Sequence, residues 1–284
     1  MPEGSCRFQV GSFCCTVLSD GYYAYPPSWF FPNAPPVELA EALDKRRLPL
    51  ESILSPYTCL LIETGRHVIL ADTGGGAASP TTGAIAARLD VAGIRPKDVD
   101  AIILTHAHPD HLGGALDAQR RPRFPNAAVY VSETEREFWM SLRPNLSGLR
   151  VPDETRRMLE ISARRCLEGL RHQMELVDRE TEIVPGVRVL PAPGHTPGHL
   201  ALLVDSGGEQ LLNLGDAAVH PLHVEHPDWE NGFDVAPDRA MATRRALLAR
   251  AATDNMRVMA FHFPFPSVGR VAKRNEAWEW LPGW

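Results

Sequence analysis

The segment Thr105-His106-Ala107-His108-Pro109-Asp110-His111 directly follows the apolar run Ala101–Leu104 (AIIL). A short continuous run of that kind reads as a strand buried on both faces. Three imidazoles and a carboxylate within six residues of its end cannot all be buried without partners, because unpaired polar groups in the interior are costly. A strand-to-helix loop splays His106 and His108 to one side while Asp110 and His111 enter from the next turn. That geometry suits two adjacent divalent metals better than one tetrahedral site. The competing reading is a solvated histidine-rich turn at a helix start, with Asp110 as its cap.

Three more ligand-type residues stand at strand ends. His195 lies in Gly194-His195-Thr196-Pro197-Gly198-His199 after the run Val187–Leu190, Asp216 in Gly215-Asp216-Ala217 after Gln210–Leu214, and His262 in Phe261-His262-Phe263-Pro264 at the end of Arg257–Phe261. Gly194 and Gly215 allow the backbone to turn tightly there. Other β runs are Phe8–Val10, Cys14–Leu18, a hairpin of Tyr57–Glu63 with His67–Ala71, Ala128–Val131, Glu182–Val184 and Leu200–Val204. Thr82–Ala92, Leu112–Ala118, Glu133–Leu142 and Pro237–Ala252 have helical spacing. Strand-rich halves that each carry helices predict two sheets packed face to face with helices outside. No linker is visible, so residues 1–284 read as a single domain.

Two segments break the rhythm. Residues 22–50 open with YYAYPPSWFFPNAPP, whose six aromatics and five prolines predict neither helix nor regular strand. The segment reads either as a loop packed by its own aromatics, or as an apolar wall over a substrate pocket, with Tyr25, Trp29, Phe30 and Phe31 as candidate contacts, or as a homodimer contact. About residues 133–172 lies a helical insertion, with an amphipathic helix over Pro152–His172 whose basic stripe reads as a solvated face.

The formal net charge of −6 over 284 residues argues against a nucleic-acid partner, which needs a basic face. No run is long enough to span a membrane, and the start MPEGSCRFQV lacks the pattern of a leader peptide. The five scattered cysteines, with no C-x-x-C pair, read as free thiols in a reducing compartment, which points to the cytoplasm.

The motifs H-x-H-x-D-H, G-H-T-P-G-H, G-D and the late Phe261-His262-Phe263-Pro264, together with Ala71-Asp72-Thr73-Gly74, resemble the metallo-β-lactamase superfamily over nearly the whole chain. The resemblance implies an α+β fold, an αββα sandwich of two mixed sheets with helices on the outer faces, and two divalent metal ions. Zinc is the expected metal, although Mn²⁺, Fe²⁺ or Co²⁺ also occupy His/Asp sites. Carried over by position, His106, His108 and His195 would hold one ion, Asp110, His111 and His262 the other, and Asp216 would bridge both. Asp72 and His199 would orient ligands through hydrogen bonds. Two such ions activate a bridging hydroxide that attacks a carbonyl or phosphoryl centre, with Asp110 and Asp216 as catalytic carboxylates.

Within the superfamily, a bridging Asp216 argues against β-lactamase activity. A glyoxalase-II-like thioesterase would add a C-terminal basic helical region, whereas only 22 residues follow His262 here, with Arg270, Lys273 and Arg274 among them. The stretches Gly215–Trp229 and Phe261–Pro266 resemble the branch of N-acyl homoserine lactonases and methyl-parathion-hydrolase-like enzymes. The implied activity is hydrolysis of a lactone or ester with an apolar acyl chain, with aryl esters and phosphotriesters as further substrates. In lactonases of that branch a Tyr shortly after the bridging Asp contacts the substrate carbonyl. Here His220 stands near that place, either as an acid/base or substrate-binding group or as a packed loop residue. His223 and His226 read as structural or solvent-facing. The non-enzymatic alternative is a metal-binding protein on the same fold.

Overall fold

A computed structural model describes residues 4–283; Met1–Glu3, part of the stretch read for a leader, and Trp284 lie outside the described residues. The strand Ile53–Glu63 shows how the layers are built. Successive strand residues point to opposite faces, yet Cys59, Leu60, Leu61 and Ile62 are all buried. Leu60 and Ile62 pack inward against a second sheet, while Cys59 and Leu61 pack outward beneath helices. Both faces are therefore apolar, and the run shows no alternation. Full burial of each such side chain stabilises the fold by about 1.5–3 kcal/mol.

Among the described residues the strands form two seven-stranded sheets, each following chain order. The first holds β1 (Ser5–Val10), β2 (Phe13–Tyr25), β3 (Ile53–Glu63), β4 (Val68–Ala71), β5 (Ala101–Ile103), β6 (Ala128–Ser132) and β7 (Met174–Val177). It is antiparallel from β1 to β4 and parallel from β4 to β7. The second holds β8 (Thr181–Val184), β9 (Val187–Pro191), β10 (Leu200–Ser206), β11 (Glu209–Asn213), β12 (Arg257–Met259), β13 (Val268–Arg274) and β14 (Ala277–Pro282), with the β11–β12 pair parallel and the other neighbours antiparallel.

The helices are α1 (Pro27–Phe30), α2 (Pro36–Lys45), α3 (Ile85–Val91), α4 (Pro109–Leu112), α5 (Glu133–Met140), α6 (Asp153–Leu170), α7 (Leu222–Glu225) and α8 (Pro237–Thr253). Leu89, Trp139 and Leu167 cover the outer face of the first sheet, and Leu247 and Leu248 cover that of the second. This is the αββα sandwich of two mixed sheets expected from the motifs.

Two expectations need correction. The stretch from Tyr22 is not irregular: β2 continues through Tyr25, pairing with Ile53–Pro56 of β3. Its prolines then start α1 and α2, because a proline is tolerated in the first helical turn, where its missing N–H has no partner to lose. The helix expected over Leu112–Ala118 is one turn, α4, followed by a 3₁₀ turn at Gly113–Ala115.

Candidate active site

Four strand ends deliver the ligand-type side chains to one place. The chain leaves β5 through Leu104 and Thr105 into His106, leaves β9 towards His195, leaves β11 towards Asp216 and leaves β12 towards His262. One donor atom from each of His106, His108 and His195 lies within 4.8 Å of the others. The same holds for Asp110, His111 and His262, and for His106, His111 and Asp216. The Asp216 carboxylate stands 3.3 Å from His111 Nε2, 3.4 Å from His195 Nε2 and 3.2 Å from His262 Nε2. It therefore touches both triads. The structure thus brings together all seven residues proposed as ligands.

His106 Nε2, His108 Nε2, His111 Nε2 and Asp216 Oδ1 are buried with no hydrogen-bond partner among the described residues. In folded proteins most buried polar atoms are paired, and an orphan costs about 1–3 kcal/mol. His108 also presents Nδ1, which lies 3.0 Å from His195 Nε2. Imidazoles and carboxylates in two groups sharing one aspartate form a donor set that fits two divalent metal ions.

Other side chains hold this set in place. Asp72, at φ 61°, accepts hydrogen bonds from the Thr105 backbone N–H (2.8 Å) and from His111 Nδ1 (2.8 Å). His199 donates from Nδ1 to the Ala192 carbonyl and accepts the Asp216 N–H at Nε2, both at 2.9 Å. Gly215, at φ 52°, permits that contact, because a Cβ there would come within 2.6 Å of His199 Nε2. Both residues expected to orient ligands therefore touch them.

Three further supports carry no signal in the sequence. Asp234 accepts from His195 Nδ1 at 2.9 Å, and buried Arg244, which donates to the Ala217 carbonyl, lies 3.7 Å from the same carboxylate. Glu135, on α5, accepts the N–H groups of Ala107 (2.8 Å) and Gly198 (3.1 Å) and the Trp139 indole N–H (2.7 Å). One buried carboxylate thus ties together the two loops that carry His106, His108 and His195.

A cavity of about 250 Å³ opens over Asp110, His195, Asp216 and His262. Tyr25, Trp29 and Phe30 line it, joined by Tyr57, Phe233 and, from α6, Met158 and Leu159. No lysine or arginine lines it among the described residues. Tyr25 and Tyr57 share a hydroxyl–hydroxyl hydrogen bond of 2.5 Å. Burial, and then the nearby Asp110, hold both phenols well above their ordinary pKa, so they act as O–H groups.

Phe31 and His220 do not line the cavity. Their rings meet edge to face in a cluster with Trp229, and His220 Nδ1 accepts the Leu222 N–H at 3.1 Å. Burial, helped by Arg46, pushes the His220 pKa down to about 3. It packs outside the cavity lining, which favours the packed-loop reading over the acid/base one. His223 bonds the Phe30 carbonyl, and half-buried His226 stacks on Trp229.

The family model of the metallo-beta-lactamase superfamily matches residues 53–262. The chain belongs to that superfamily. Among curated relatives, an N-acyl homoserine lactonase of Bacillus sp. is 28% identical over 210 residues, covering 66% of this chain and 73% of the relative. The N-acyl homoserine lactonase AiiA of Bacillus thuringiensis subsp. kurstaki is 27% identical, covering 68% and 75%. Among solved structures, AidC, a dizinc quorum-quenching lactonase in complex with a product, is 28% identical with a TM-score of 0.94, over 99% of this chain and 98% of that one. The hydrolase AbOPH of the beta lactamase superfamily is 26% identical with a TM-score of 0.90, over 100% and 99%.

For a superfamily member the protonation of the donors governs metal capture. Burial, and then neighbouring histidines, hold the pKa of His106 well below 6.5. At His111 and His262 burial works the same way, but Asp216, Asp72 and Asp110 outweigh it at His111, and Asp216 and Asp110 at His262. His111 is held well above its ordinary value, and His262 is raised to about 9. In the metal-free chain His111 and His262 are thereby biased towards their protonated forms, and both belong to the donor set expected for a metal. Because the folded pKa of His262 exceeds the unfolded one, its contribution to metal-free stability is complete below pH 6.5 and disappears as pH rises through 9. A metal competes with those protons. Its apparent affinity is expected to rise between about pH 6 and 9, with protons released on binding. Competition titration against a chelating dye at several pH values, with proton release read from calorimetry in buffers of different ionisation enthalpy, checks this. A pH-independent affinity without proton release would contradict it.

Proposed function

We propose that the chain is a dinuclear metal-dependent hydrolase of neutral lactones and esters with an apolar acyl chain, acting as an N-acyl homoserine lactonase of the quorum-quenching kind. The observation that carries this is the seven-donor cluster, with Asp216 shared between its two halves, at the floor of an aromatic cavity without cationic side chains. Similarity to AidC and to the Bacillus lactonases supports the same substrate class. His106, His108 and His195 would hold one ion and Asp110, His111 and His262 the other, with Asp216 between them. The His/Asp donors and the dizinc relative support zinc. Bound there, the ions supply Lewis-acid polarisation of the acyl oxygen and hydroxide near neutral pH.

The chain's own residues do the rest. Asp72, Asp234 and His199 fix ligand orientation. Trp29, Phe30, Phe233 and Met158 exclude water around an apolar chain. Asp110, at the cavity floor beside His262 (3.3 Å), would take the proton that the added hydroxyl gives up and hand it to the leaving oxygen.

The absence of lysine and arginine from the lining weighs against glutathione thioesters, whose carboxylates need cationic partners. Arg270, Lys273 and Arg274 are engaged on β13 instead, with Asn255, Trp278 and Glu279 respectively. A neutral phosphotriester meets no such objection, which keeps an organophosphate hydrolase of the methyl-parathion type as the second reading. No helix among the described residues is long and apolar enough to cross a membrane. The five cysteines are free and buried, which supports placement in a reducing compartment such as the cytoplasm.

Initial rates of the zinc-loaded chain on a long-chain N-acyl homoserine lactone and on an aryl phosphotriester test the reading. Faster lactone turnover is expected, and Trp29→Ala with Phe30→Ala should lower the preference for long over short acyl chains by about tenfold. The reverse ranking would favour the organophosphate reading, and an unchanged chain preference would remove the aromatic wall from the account.

A further inference from the structure

The cavity holds a hydrogen-bond donor that the fold does not use. Tyr25 and Tyr57 lie on neighbouring strands, with Tyr57 opposite Gly21 and Tyr25 opposite Ile53 in the β2–β3 register. Because strand side chains alternate, Gly21 and Tyr25 share a face, and the side chain that would stand directly opposite Tyr57 is missing. The two hydroxyls meet at 2.5 Å, and neither has a second partner among the described residues.

Two phenols carry two O–H hydrogens, and a single bond between them consumes one. The other has no protein acceptor. Both rings are held firmly. Tyr57 packs edge-on against His262 with centroids 5.3 Å apart and tilts against Phe261 at 5.8 Å, while Tyr25 packs against Phe30 at 5.1 Å and Phe233 at 5.6 Å. Ser79 and Thr82 of the wall, by contrast, are bonded within the protein, Ser79 to Thr81 and Thr82 to the Gly76 carbonyl.

We propose that the Tyr25–Tyr57 pair acts as one unit that donates its free O–H to an ester oxygen of the bound substrate. This rests on the reading above that a neutral ester or lactone reacts beside His262. A fixed donor of this kind needs no reorganisation as negative charge develops on the acyl group. It adds a neutral polar contact to a wall without lysine or arginine, and so selects for substrates whose acyl oxygen reaches the wall that faces His262. The hydroxyls do not act independently: losing either one frees the other from its fixed position.

The test uses the zinc-loaded full chain with Tyr25→Phe, Tyr57→Phe and the double variant, which keep the rings and remove the hydroxyls. The readouts are kcat/KM on an N-acyl homoserine lactone and on an aryl ester, metal content, and the Kd of the non-hydrolysable γ-lactam analogue followed by titration calorimetry. Each single variant is expected to lose about tenfold in kcat/KM, and the double variant about the same rather than the product, as for residues acting as a unit. Lactam affinity should fall about fivefold or more in all three, with metal content unchanged. Variants within twofold of the parent in both kcat/KM and Kd would overturn the proposal, and a multiplicative double variant would overturn the single-unit part of it. If the parent hydrolyses the aryl ester but not the lactone, the lactonase reading fails while the same variants on the aryl ester still decide the role of the pair. If the parent turns over neither ester and does not bind the lactam, both fail.

Discussion

Asp216→Asn is expected to lower kcat/KM on an N-acyl homoserine lactone by about a thousandfold or more and to leave the chain unable to retain two ions. The reason is in the contacts. The carboxylate is within 3.4 Å of Nε2 on His111, His195 and His262, and burial is outweighed by His262 and His111, which hold its pKa well below the ordinary value. It is therefore an anion shared by both triads. Asparagine keeps its shape and its backbone N–H bond to His199, but offers one neutral oxygen and an N–H₂ group that repels cations. Kinetics with metal analysis of the same preparation read out the effect. Turnover within tenfold of the parent at two ions per chain would show that Asp216 is not the shared ligand.

The ligand motif was legible because covalent spacing carries it. His106, His108, Asp110 and His111 fall within six residues after a buried strand, and any fold that ends that strand at a cavity brings them together. His195, Asp216 and His262 were legible because each follows an apolar run. Asp234 and Glu135 had no such signal. Asp234 reaches His195 across 39 residues, and Glu135 reaches Ala107 and Gly198 across 28 and 63, so only tertiary packing reveals what they hold.

Tyr57 was read as the first residue of a strand, and its pairing with Tyr25 depends on register rather than on sequence neighbours. The Tyr22–Pro36 stretch was misread because prolines were counted as breakers, whereas Pro27 and Pro36 start helices. The β13–β14 hairpin was missed because its outer positions are polar and charged, and only Val271, Trp278 and Trp280 pack into the outer cluster. His220 follows Asp216 closely in sequence, which is the whole of its signal. The loop Gly215–Pro221 instead turns it into the Phe31–Trp229 cluster.

Removing the metal is expected to abolish turnover rather than reduce it. Ser79, a hydroxyl of the cavity wall, is bonded to Thr81, not to a histidine, and the histidines of the wall belong to the donor cluster. Without ions the chain keeps a binding cavity but has no activated nucleophile. Metal also couples to folding, because the donors are buried and several are unpaired. Zinc at about a hundred times its Kd should raise stability by about 2.7 kcal/mol, visible as a higher Tm in thermal melts. The most direct test is to titrate the metal-free chain with zinc while recording lactone hydrolysis and ions bound per chain. The expected result is turnover that climbs as the second ion is taken up and vanishes again on chelation. Full turnover in the metal-free chain, or at one ion with no further gain, would contradict a dinuclear centre built on Asp216.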